Sequence, residues 1–506
     1  LFIIKDQPYS IKSYYSDYLR LPDIANSIDD NDYVIEVDEG LRSGFYASSF
    51  CKLIVRTDEI PYEDRPKLRP EIFLKPDSRL KLTEKFLEII SPLYHNQVGE
   101  ISFDSKMLSS SLIAEGTINS PFISFHEKDV QINYDEYGHF FKSNLKTFGP
   151  KIRKAFPPTR QIVLVHPEYM PDTLARTFYL DICKIAKLYF KMVLPSRPIL
   201  WRYPELNIED HFNHYKNKAG AVLFIVKDEY DAENYHQFKR IFQDVPNQAV
   251  TYNLINLKWS AKNDSERSLY RNALINITSG LLVKIGTRPW LLRDRLSCNI
   301  YVGIDVGGLT AKVLNLVVMD DRGNYLFDSW KPLSGIKASK EDIKSFIRQV
   351  LHKFPTISQI MIHKDGELFE EEIGGVINAV KEHSRPISLI FVAVKKNVPF
   401  RIYKQVNNSF HNTPLGAYFI FNENAALIAT TGEPILKQGM ARPLLIEIDR
   451  TSSKYDILNV LKDIYYLSFM HWGSLVAKTK LPATIKYADD LAGYAEHGIR
   501  APSPPL

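Results

Sequence analysis

The sequence predicts an α/β protein in which a doubly wound parallel sheet is followed by a second, differently ordered α/β domain. Two observations support this prediction. Between about residues 160 and 295, apolar strand-length runs alternate with helix-length amphipathic segments, which is the pattern of a Rossmann-like sheet. From residue 299 onward, three strand-like runs come in succession before helices and strands alternate again. A mixed α+β region precedes both domains.

The N-terminal region, residues 1–158, is the least regular part of the chain. Short strand-like runs alternate there with polar turns that contain proline. They lie at Tyr33–Val37, Cys51–Val55 and Pro121–Phe125. One amphipathic helix is predicted near Leu80–Leu93, with Leu80, Leu82, Phe86, Ile89 and Ile90 on one face. Pro157-Pro158 marks the end of the region.

The second region, residues 159–296, alternates strands with helices. Strands are predicted at Gln161–Val165, Pro198–Trp201, Gly220–Val226 and Ala249–Tyr252. Helices are predicted at Thr173–Val193, Tyr230–Phe242 and Ser265–Lys284. Parallel sheets of this kind bind ligands outside the carboxyl ends of their strands.

The third region, residues 297–506, begins with three antiparallel strands joined by tight turns. These strands are predicted at Asn299–Asp305, Ala311–Met319 and Tyr325–Trp330. Helices then follow at Lys340–His352 and Glu370–Lys381, and strands at Gln359–His363 and Ile387–Val394. Three antiparallel strands followed by helix–strand units is the order expected of a ribonuclease H-like domain.

Composition narrows the classes of protein without selecting one. The net charge is only +5, which argues against a general polycation but allows a basic channel. The three cysteines form no CxxC pair, so we expect neither a disulfide framework nor a zinc site. The apolar stretches are strand-sized, so we expect no membrane insertion and a cytoplasmic location.

Three aspartates stand where a strand ends or a helix begins. Asp305 closes an apolar run, Asp365 closes another about sixty residues later, and Asp489 opens a helix near the end of the sequence. Clustered carboxylates suit Mg²⁺ or Mn²⁺, and two such ions can assist phosphodiester hydrolysis. A single aspartate at such a position is more often a turn residue or a helix cap.

These landmarks, in this order, resemble the MID and PIWI domains of the Argonaute family over about residues 140–492. The matching segments are Lys146–Pro150, Lys284–Trp290, the GIDVGG at 303–308, the HKDG at 363–366, and Leu481-Pro482 leading to Tyr487-Ala488-Asp489. The resemblance implies a MID domain at 159–296 and a PIWI domain at 297–506. It is nearest to the short prokaryotic Argonautes.

The MID resemblance implies a pocket for the 5′ phosphate of a guide strand. Tyr235 and Lys239 stand four residues apart on one helix face, and Gln248 and Lys284 complete the family pattern. Without the resemblance, Tyr235 and Lys239 would be an ordinary solvated helix face. A second lysine that the family often has is Gly280 here. The sequence ends in Pro504-Pro505-Leu506, without the bulky aromatic residue usual in pockets that use a metal.

The PIWI resemblance assigns Asp305, Asp365 and Asp489 to metal-binding and catalytic positions. Cleaving members also insert a glutamate from the loop after the third strand, and the aligned residue here is Ile336. Glu341 is the candidate substitute, although it also suits a helix start. Glu367 and Glu370–Glu372 are expected to form a solvated helix start, where acids favour the dipole.

The resemblance implies a protein that uses a short guide RNA or DNA with a 5′ phosphate to recognise a complementary target strand. We expect weak or absent cleavage and a role in prokaryotic defence against plasmids or viruses. A co-encoded effector, or a protein resembling the missing N-terminal lobe, would be its partner. Aromatics suited to that interface are Tyr14, Tyr15, Tyr18, Phe45, Tyr46 and Phe50, which could equally fill the domain's own core.

Two alternatives remain open at this stage. One is a guide-directed endonuclease that uses Asp305, Asp365 and Asp489 with two divalent metal ions. The other is an ATPase or sugar kinase of the actin-like fold, because the segment from Gly303 to Gly308 with Lys312 resembles the first phosphate loop of those enzymes. That reading is disfavoured because Leu309 stands where the loop normally has threonine.

Overall fold

The computed structural model describes most of the chain, in two compact units, residues 1–73 and 74–506. It describes residues 2–4, 7–18, 25–26, 28, 34–38, 43–47, 74–95 and 114–506, apart from 204–206, 229–230, 309–311, 334, 336–337, 408, 437–438, 453, 476–477 and 501–503. In these ranges, no helix is both long and apolar enough to cross a membrane.

The first unit contains two strand pairs and a short helical segment. Its elements are β1 (Phe2–Ile4), β2 (Gln7–Tyr9), α1 (Ile11–Ser13), a π-helical turn (Tyr14–Tyr18), β3 (Val34–Asp38) and β4 (Ser43–Ala47). β3 confirms a predicted strand. Tyr14 and Tyr15 are buried in a small cluster with Ile11, so these two aromatics fill the unit's own core. The predicted strand at Cys51–Val55 and Phe50 lie outside the described residues, as do the side chains of Tyr18, Phe45 and Tyr46.

The second unit begins with a long helix and three short strands. These are α2 (Pro76–His95), β5 (Ala114–Thr117), β6 (Phe122–Ser124), β7 (Asp129–Gln131) and α3 (Tyr137–Phe148). The predicted helix near Leu80–Leu93 is confirmed, and Leu82 and Phe86 on it are exposed. The backbone N–H of Phe410 donates to Asp77 Oδ1 at 3.0 Å, which ties the start of α2 to a later strand pair.

A four-stranded parallel sheet follows, with strand order β11-β10-β8-β9. The elements are β8 (Gln161–Pro167), α4 (Asp172–Phe190), β9 (Ile199–Tyr203), α5 (Ile208–Tyr215), β10 (Ala219–Val226), α6 (Ala232–Ile241), β11 (Asn247–Thr251), α7 (Tyr252–Ser260) and α8 (Asp264–Ile285). The Rossmann-like prediction is confirmed. Helices α5 and α7 were not predicted, because α5 has only eight residues and α7 buries only Ile255 completely.

A nine-stranded sheet forms the last part of the chain, with order β15-β14-β13-β16-β17-β22-β21-β20-β5. The elements of this part of the chain are β12 (Leu291–Leu292), β13 (Ile300–Gly307), β14 (Val313–Asp320), β15 (Tyr325–Pro332), α9 (Lys340–Lys353), β16 (Gln359–Asp365), α10 (Glu370–Lys381), β17 (Ser388–Lys395), β18 (Tyr403–Val406), β19 (Ser409–Asn412), β20 (Ala417–Asn422), β21 (Ala425–Ile428), β22 (Leu444–Thr451), α11 (Ile457–Leu467) and α12 (Ala483–Ala495). Of these strands, β12, β18 and β19 lie outside the nine-stranded sheet.

The central strands of this sheet have the predicted ribonuclease H-like arrangement. β13, β14 and β15 are antiparallel, whereas β16 runs parallel to β13 and β17 runs parallel to β16. Ile304 on β13 is paired with Lys364 on β16, so the carboxyl ends of these two strands meet at one edge. β5, from the predicted N-terminal region, adds the outermost strand by pairing with β20.

Helix α12 packs directly across β13, and a glycine makes this possible. A Cβ atom at Gly303 would lie 2.3 Å from the main-chain oxygen of Thr484. Any side chain at this position would therefore push the helix away from the sheet. The close approach brings the residues of α12 next to the ends of β13 and β16.

Candidate nucleic-acid interface

The fold brings the three predicted aspartates to one region. Asp305 lies near the end of β13, Asp365 is the last residue of β16, and Asp489 lies in the second turn of α12. Asp305 is only 7% exposed. Burial raises its pKa to about 6, and the negative charges of Asp365 and Asp489 act in the same direction. These side chains are therefore close enough to repel each other.

A lysine that the sequence analysis did not identify lies between two of these carboxylates. Lys396 follows β17, and its Nζ lies 2.7 Å from Asp365 Oδ2 and 3.8 Å from Asp489 Oδ1. Burial acts to lower the Lys396 pKa, but the hydrogen bond to Asp365 and the charges of the three aspartates raise it overall. Lys486 adds a second ammonium 3.5 Å from Asp489 Oδ2. The excess negative charge is thus balanced by lysines.

The carboxylates fit a divalent cation in their chemistry but not in their arrangement. Oxygen donors are what Mg²⁺ and Mn²⁺ prefer. Among the residues that the structure describes, however, no three His, Cys, Asp or Glu side chains are placed to hold one metal ion. The cation beside Asp365 and Asp489 is Lys396 instead. We therefore derive no reaction step through a metal.

The glutamates near this region behave differently from one another. Glu341 is exposed in the first turn of α9. That helix is capped by Ser339, whose hydroxyl accepts from the N–H of Asp342 at 3.1 Å. The cap is thus formed by Ser339 with Asp342 and does not involve Glu341. Ile336, the residue aligned with the inserting glutamate, lies outside the described residues.

The predicted solvated helix start is correct in part and wrong for one residue. Glu367, Glu370 and Glu371 are exposed, as expected. Glu372, in contrast, is fully buried, and its Oε1 lies 3.9 Å from the Nζ of Lys364, which is itself buried. Glu372 lies in the first turn of α10 with Glu370 and Glu371 but on its buried face, and a counter-charge makes its burial tolerable.

The predicted phosphate pocket is assembled around one asparagine. Lys239 Nζ donates to Asn247 Oδ1 at 2.9 Å, and Lys284 Nζ donates to the main-chain oxygen of Asn247 at 3.1 Å. Lys284 Nζ also donates to Gln248 Oε1 at 2.7 Å. Asn247 and Gln248 open β11, Lys239 comes from α6, and Lys284 comes from α8. One strand of the parallel sheet and two helices that accompany it therefore bring these residues together around the two ammonium groups.

Both ammonium groups are buried, and no acidic side chain in the described part of the chain contacts them. Lys239 is 1% exposed and Lys284 is 7% exposed. Burial lowers the pKa of Lys239 to about 7. Burial, together with the charge of Lys239, lowers the pKa of Lys284 well below its usual value. Two adjacent cations with no acidic side chain in contact form a site that is electrostatically suited to an anion.

Tyr235 lies at the edge of this pocket. Its hydroxyl donates to Tyr494 Oη at 3.3 Å, and the Nζ of Lys239 lies over both rings at 5.6 and 5.1 Å. Lys284 Nζ also donates to the main-chain oxygen of Leu506 at 2.5 Å. Tyr235, Tyr494 and Leu506 line a cavity of 520 Å³. The pocket is thus completed by residues from the end of the sequence.

Gly280 has a steric reason to remain without a side chain. A Cβ atom there would lie 2.9 Å from Gln248 Oε1. A longer residue at this position would displace Gln248 from Lys284. The second lysine expected from the resemblance would therefore require the end of the Gln248 side chain to move.

A group of cations lies beside the carboxylates and extends towards α2. Burial lowers the pKa of Lys480 to about 8, and the charges of Arg442, Arg401 and Lys396 contribute. Burial and the charges of Arg79 and Arg442 likewise lower the pKa of Arg401. We call Arg79, Arg401, Arg442 and Lys480 the cation cluster. Cations that repel each other in this way are suited to a polyanion.

The sequence analysis missed Asn247, Lys396, Tyr494 and the cation cluster. A signal existed for Lys396, since it follows the end of a buried strand just as the aspartates do. Asn247 stands next to a predicted pocket residue, but an asparagine before a strand usually reads as a turn residue. The cation cluster draws on residues more than 400 positions apart, and no local pattern connects them.

Comparisons with known proteins agree with this fold. A model of the Piwi domain matches residues 221–500. The argonaute of Aquifex aeolicus (strain VF5) is 25% identical over 238 residues, which cover 45% of this chain and 32% of that protein. The argonaute of Pyrococcus furiosus is 22% identical over 302 residues, covering 56% of this chain and 38% of that protein. The chain thus spans about a third of the length of these curated relatives.

Solved structures share the fold at low sequence identity. A Clostridium butyricum Argonaute bound to a guide DNA (5′ deoxycytidine) and a 19-mer target DNA matches with a TM-score of 0.76 and 20% identity, covering 98% of this chain and 69% of that one. The crystal structure of Drosophila Piwi matches with a TM-score of 0.60 and 19% identity, covering 75% and 53%. The Piwi-domain match covers more than half of the sequence, and this chain therefore belongs to the Argonaute family.

Proposed function

We propose that the chain binds a short guide strand by its 5′ phosphate and uses it to recognise a complementary strand. The observation that carries this proposal is the pair of buried lysines, Lys239 and Lys284, which donate to Asn247 and Gln248 and contact no acidic side chain among the described residues. A terminal phosphate supplies the missing negative charge and accepts hydrogen bonds from both ammonium groups. Tyr235 borders the cavity, where its ring can stack on the first base.

The cation cluster extends the proposed binding surface from the carboxylates towards α2. Arg442 and Arg79 are exposed, so they are accessible to backbone phosphates. Contacts of this kind hold a strand without reading its sequence. Base pairing between guide and target then supplies the specificity, and the protein recognises the duplex by its shape. Both RNA and DNA are compatible with this arrangement.

Two measurements test the proposal. The first is to purify the protein from cells and sequence the nucleic acid that accompanies it, which should be short and 5′-phosphorylated. The second compares the affinities of matched 5′-phosphorylated and 5′-hydroxyl oligonucleotides for the purified chain. We expect the phosphorylated strand to bind at least about tenfold more tightly. Equal affinities, together with no co-purifying short strands, would rule the proposal out.

The biological setting that the sequence suggests is also part of the proposal. We propose that target recognition serves defence against plasmids or viruses in the cytoplasm, with a second polypeptide as the effector. Exposed Leu82 and Phe86 on α2 offer apolar surface for such a partner. Isolation from the native host before and after loading with guide and target, followed by mass spectrometry, tests it. A protein that stays monomeric both before and after loading would contradict the proposal of an effector partner.

A further inference from the structure

Among the residues that the structure describes, Lys396, which directly follows β17, is the one that contacts two of the three aspartates. Its ammonium lies 2.7 Å from Asp365 at the end of β16 and 3.8 Å from Asp489 on α12. Lys395, its neighbour, points to the opposite side of the strand end. The Nζ of Lys395 lies 2.7 Å from Glu447 and 3.8 Å from Glu367. The two consecutive lysines therefore form ion pairs with different acidic groups.

We propose that Lys396 is an internal cation that occupies the position between Asp365 and Asp489 and competes with divalent metal ions for these carboxylates. A divalent ion bound between the same two carboxylates would lie close to the ammonium group, and the two positive charges would repel each other strongly at such a distance. A metal ion can bind Asp365 and Asp489 only when Lys396 withdraws. Lys396 thus sets the metal affinity of the carboxylates.

The environment of Lys396 allows its side chain to leave while its backbone stays in place. The side chain is 37% exposed, so the ammonium can reach water. The main-chain oxygen of Lys396 accepts a hydrogen bond from Lys480 Nζ at 2.6 Å, which anchors the backbone. Competition would therefore consist of a side-chain movement rather than a rearrangement of the strand.

The other lysines of the region do not have the same role. Lys364 faces Glu372, and Lys486 divides its contacts between Asp489 and Asp490. Among the described residues, neither of them forms an ion pair with Asp365. Removing Lys396 would leave Asp365 and Asp489 without the cation they share. Their mutual repulsion would then favour a metal ion as the replacement.

The test is a titration of the full chain, freed of nucleic acid, with Mn²⁺, in which electron paramagnetic resonance measures the free ion. Lys396→Met removes the ammonium and retains the length of the side chain. We expect this variant to bind Mn²⁺ at least about tenfold more tightly than the wild type. Lys396→Arg keeps the charge and Lys395→Met removes the neighbouring charge, so both should stay within about twofold of the wild type.

Thermal unfolding provides a second measurement that also checks folding. Without metal, Lys396→Met should melt below the wild type, and saturating Mn²⁺ should raise its midpoint by more than it raises the wild-type midpoint. This larger increase in the unfolding midpoint must be absent from the double variant Lys396→Met/Asp365→Asn.

Three results would overturn the inference. They are unchanged or weaker Mn²⁺ binding by Lys396→Met, an equal increase in Mn²⁺ affinity in Lys395→Met, or an increase in Mn²⁺ affinity that persists when Asp365→Asn is added to Lys396→Met. No oligonucleotide is present, so the outcome is independent of guide binding.

Discussion

Replacing either buried lysine of the phosphate pocket by methionine should abolish most of the preference for a 5′ phosphate. Lys239→Met and Lys284→Met each remove one ammonium but keep the bulk of the side chain. A hydrogen bond to a charged group contributes about 1.5–3 kcal/mol, which corresponds to roughly tenfold to a hundredfold in affinity. We expect the upper part of this range, because the two lysines are almost fully buried and no side-chain carboxylate competes for them.

The assay is fluorescence anisotropy with labelled oligonucleotides that differ only at the 5′ end. Affinity for the 5′-hydroxyl strand should change little, since that strand has no group to place between the two ammonium groups. Lys184→Met is the matched control, because Lys184 lies in the same domain with a side chain that is 77% exposed. If both pocket variants keep the wild-type preference for the phosphate, the assignment of the pocket is wrong.

The pH dependence of the same assay provides an independent check. The Lys239 pKa is lowered to about 7 in the free protein. Its ammonium, and hence its attraction for phosphate, is therefore present below pH 7 and lost as the pH rises through that value. The preference for the 5′ phosphate should fall between pH 7 and 9, by up to about tenfold per pH unit. Lys239→Met should remove this part of the dependence.

Three further predictions concern the remainder of the described chain. Arg79→Ala and Arg442→Ala should weaken the binding of 5′-phosphorylated and 5′-hydroxyl strands equally. They should also lower the slope of log affinity against log salt concentration by about 0.7 per lost phosphate contact; an unchanged slope in titrations at several salt concentrations argues against a role of the cation cluster in binding. Burial raises the Asp463 pKa to about 6, above its unfolded value of about 3.9. Its contribution to stability is therefore present below about pH 4 and lost by about pH 6. Of this total of about 3 kcal/mol, about 2 kcal/mol falls between pH 4.5 and 7.5, and Asp463→Asn should abolish that difference in melting curves at these two pH values; parallel pH profiles of the two proteins would contradict this. Cleavage of labelled complementary RNA or DNA in Mg²⁺ or Mn²⁺ should be weak or absent, because Lys396 occupies the place of a cation; efficient cutting at one distance from the guide 5′ end, lost in Asp305→Ala, would disprove it.

Most of the fold could be predicted from the sequence, because its determinants are local. Alternation of apolar runs with amphipathic segments predicted the parallel sheet and the ribonuclease H-like strand order, and strand ends at Asp305 and Asp365 followed from the same pattern. Bounds shifted by at most four residues. The sequence analysis missed the helices α3, α5, α7 and α11. Of these, α5 and α7 are short or weakly amphipathic, so their periodicity is too weak to recognise, whereas α3 and α11 are amphipathic helices for which no prediction was made.

The sequence predicted the individual residues of the site, but it did not predict contacts between residues that are far apart in the chain. Tyr235, Lys239, Gln248 and Lys284 follow from a family pattern, but only the tertiary structure showed that Asn247 holds both lysines. The close contact of α12 with β13 decided that Asp489 shares a lysine with Asp365.

Burial likewise depends on packing across the chain. Glu372 stands in a run of acids that resembles a solvated helix start, yet the sheet covers it and Lys364 faces it. Charge balance in such a region is a property of residues brought together from separate elements. It is determined by tertiary packing, because the spacing of residues along the chain contains no information about which distant charges will meet.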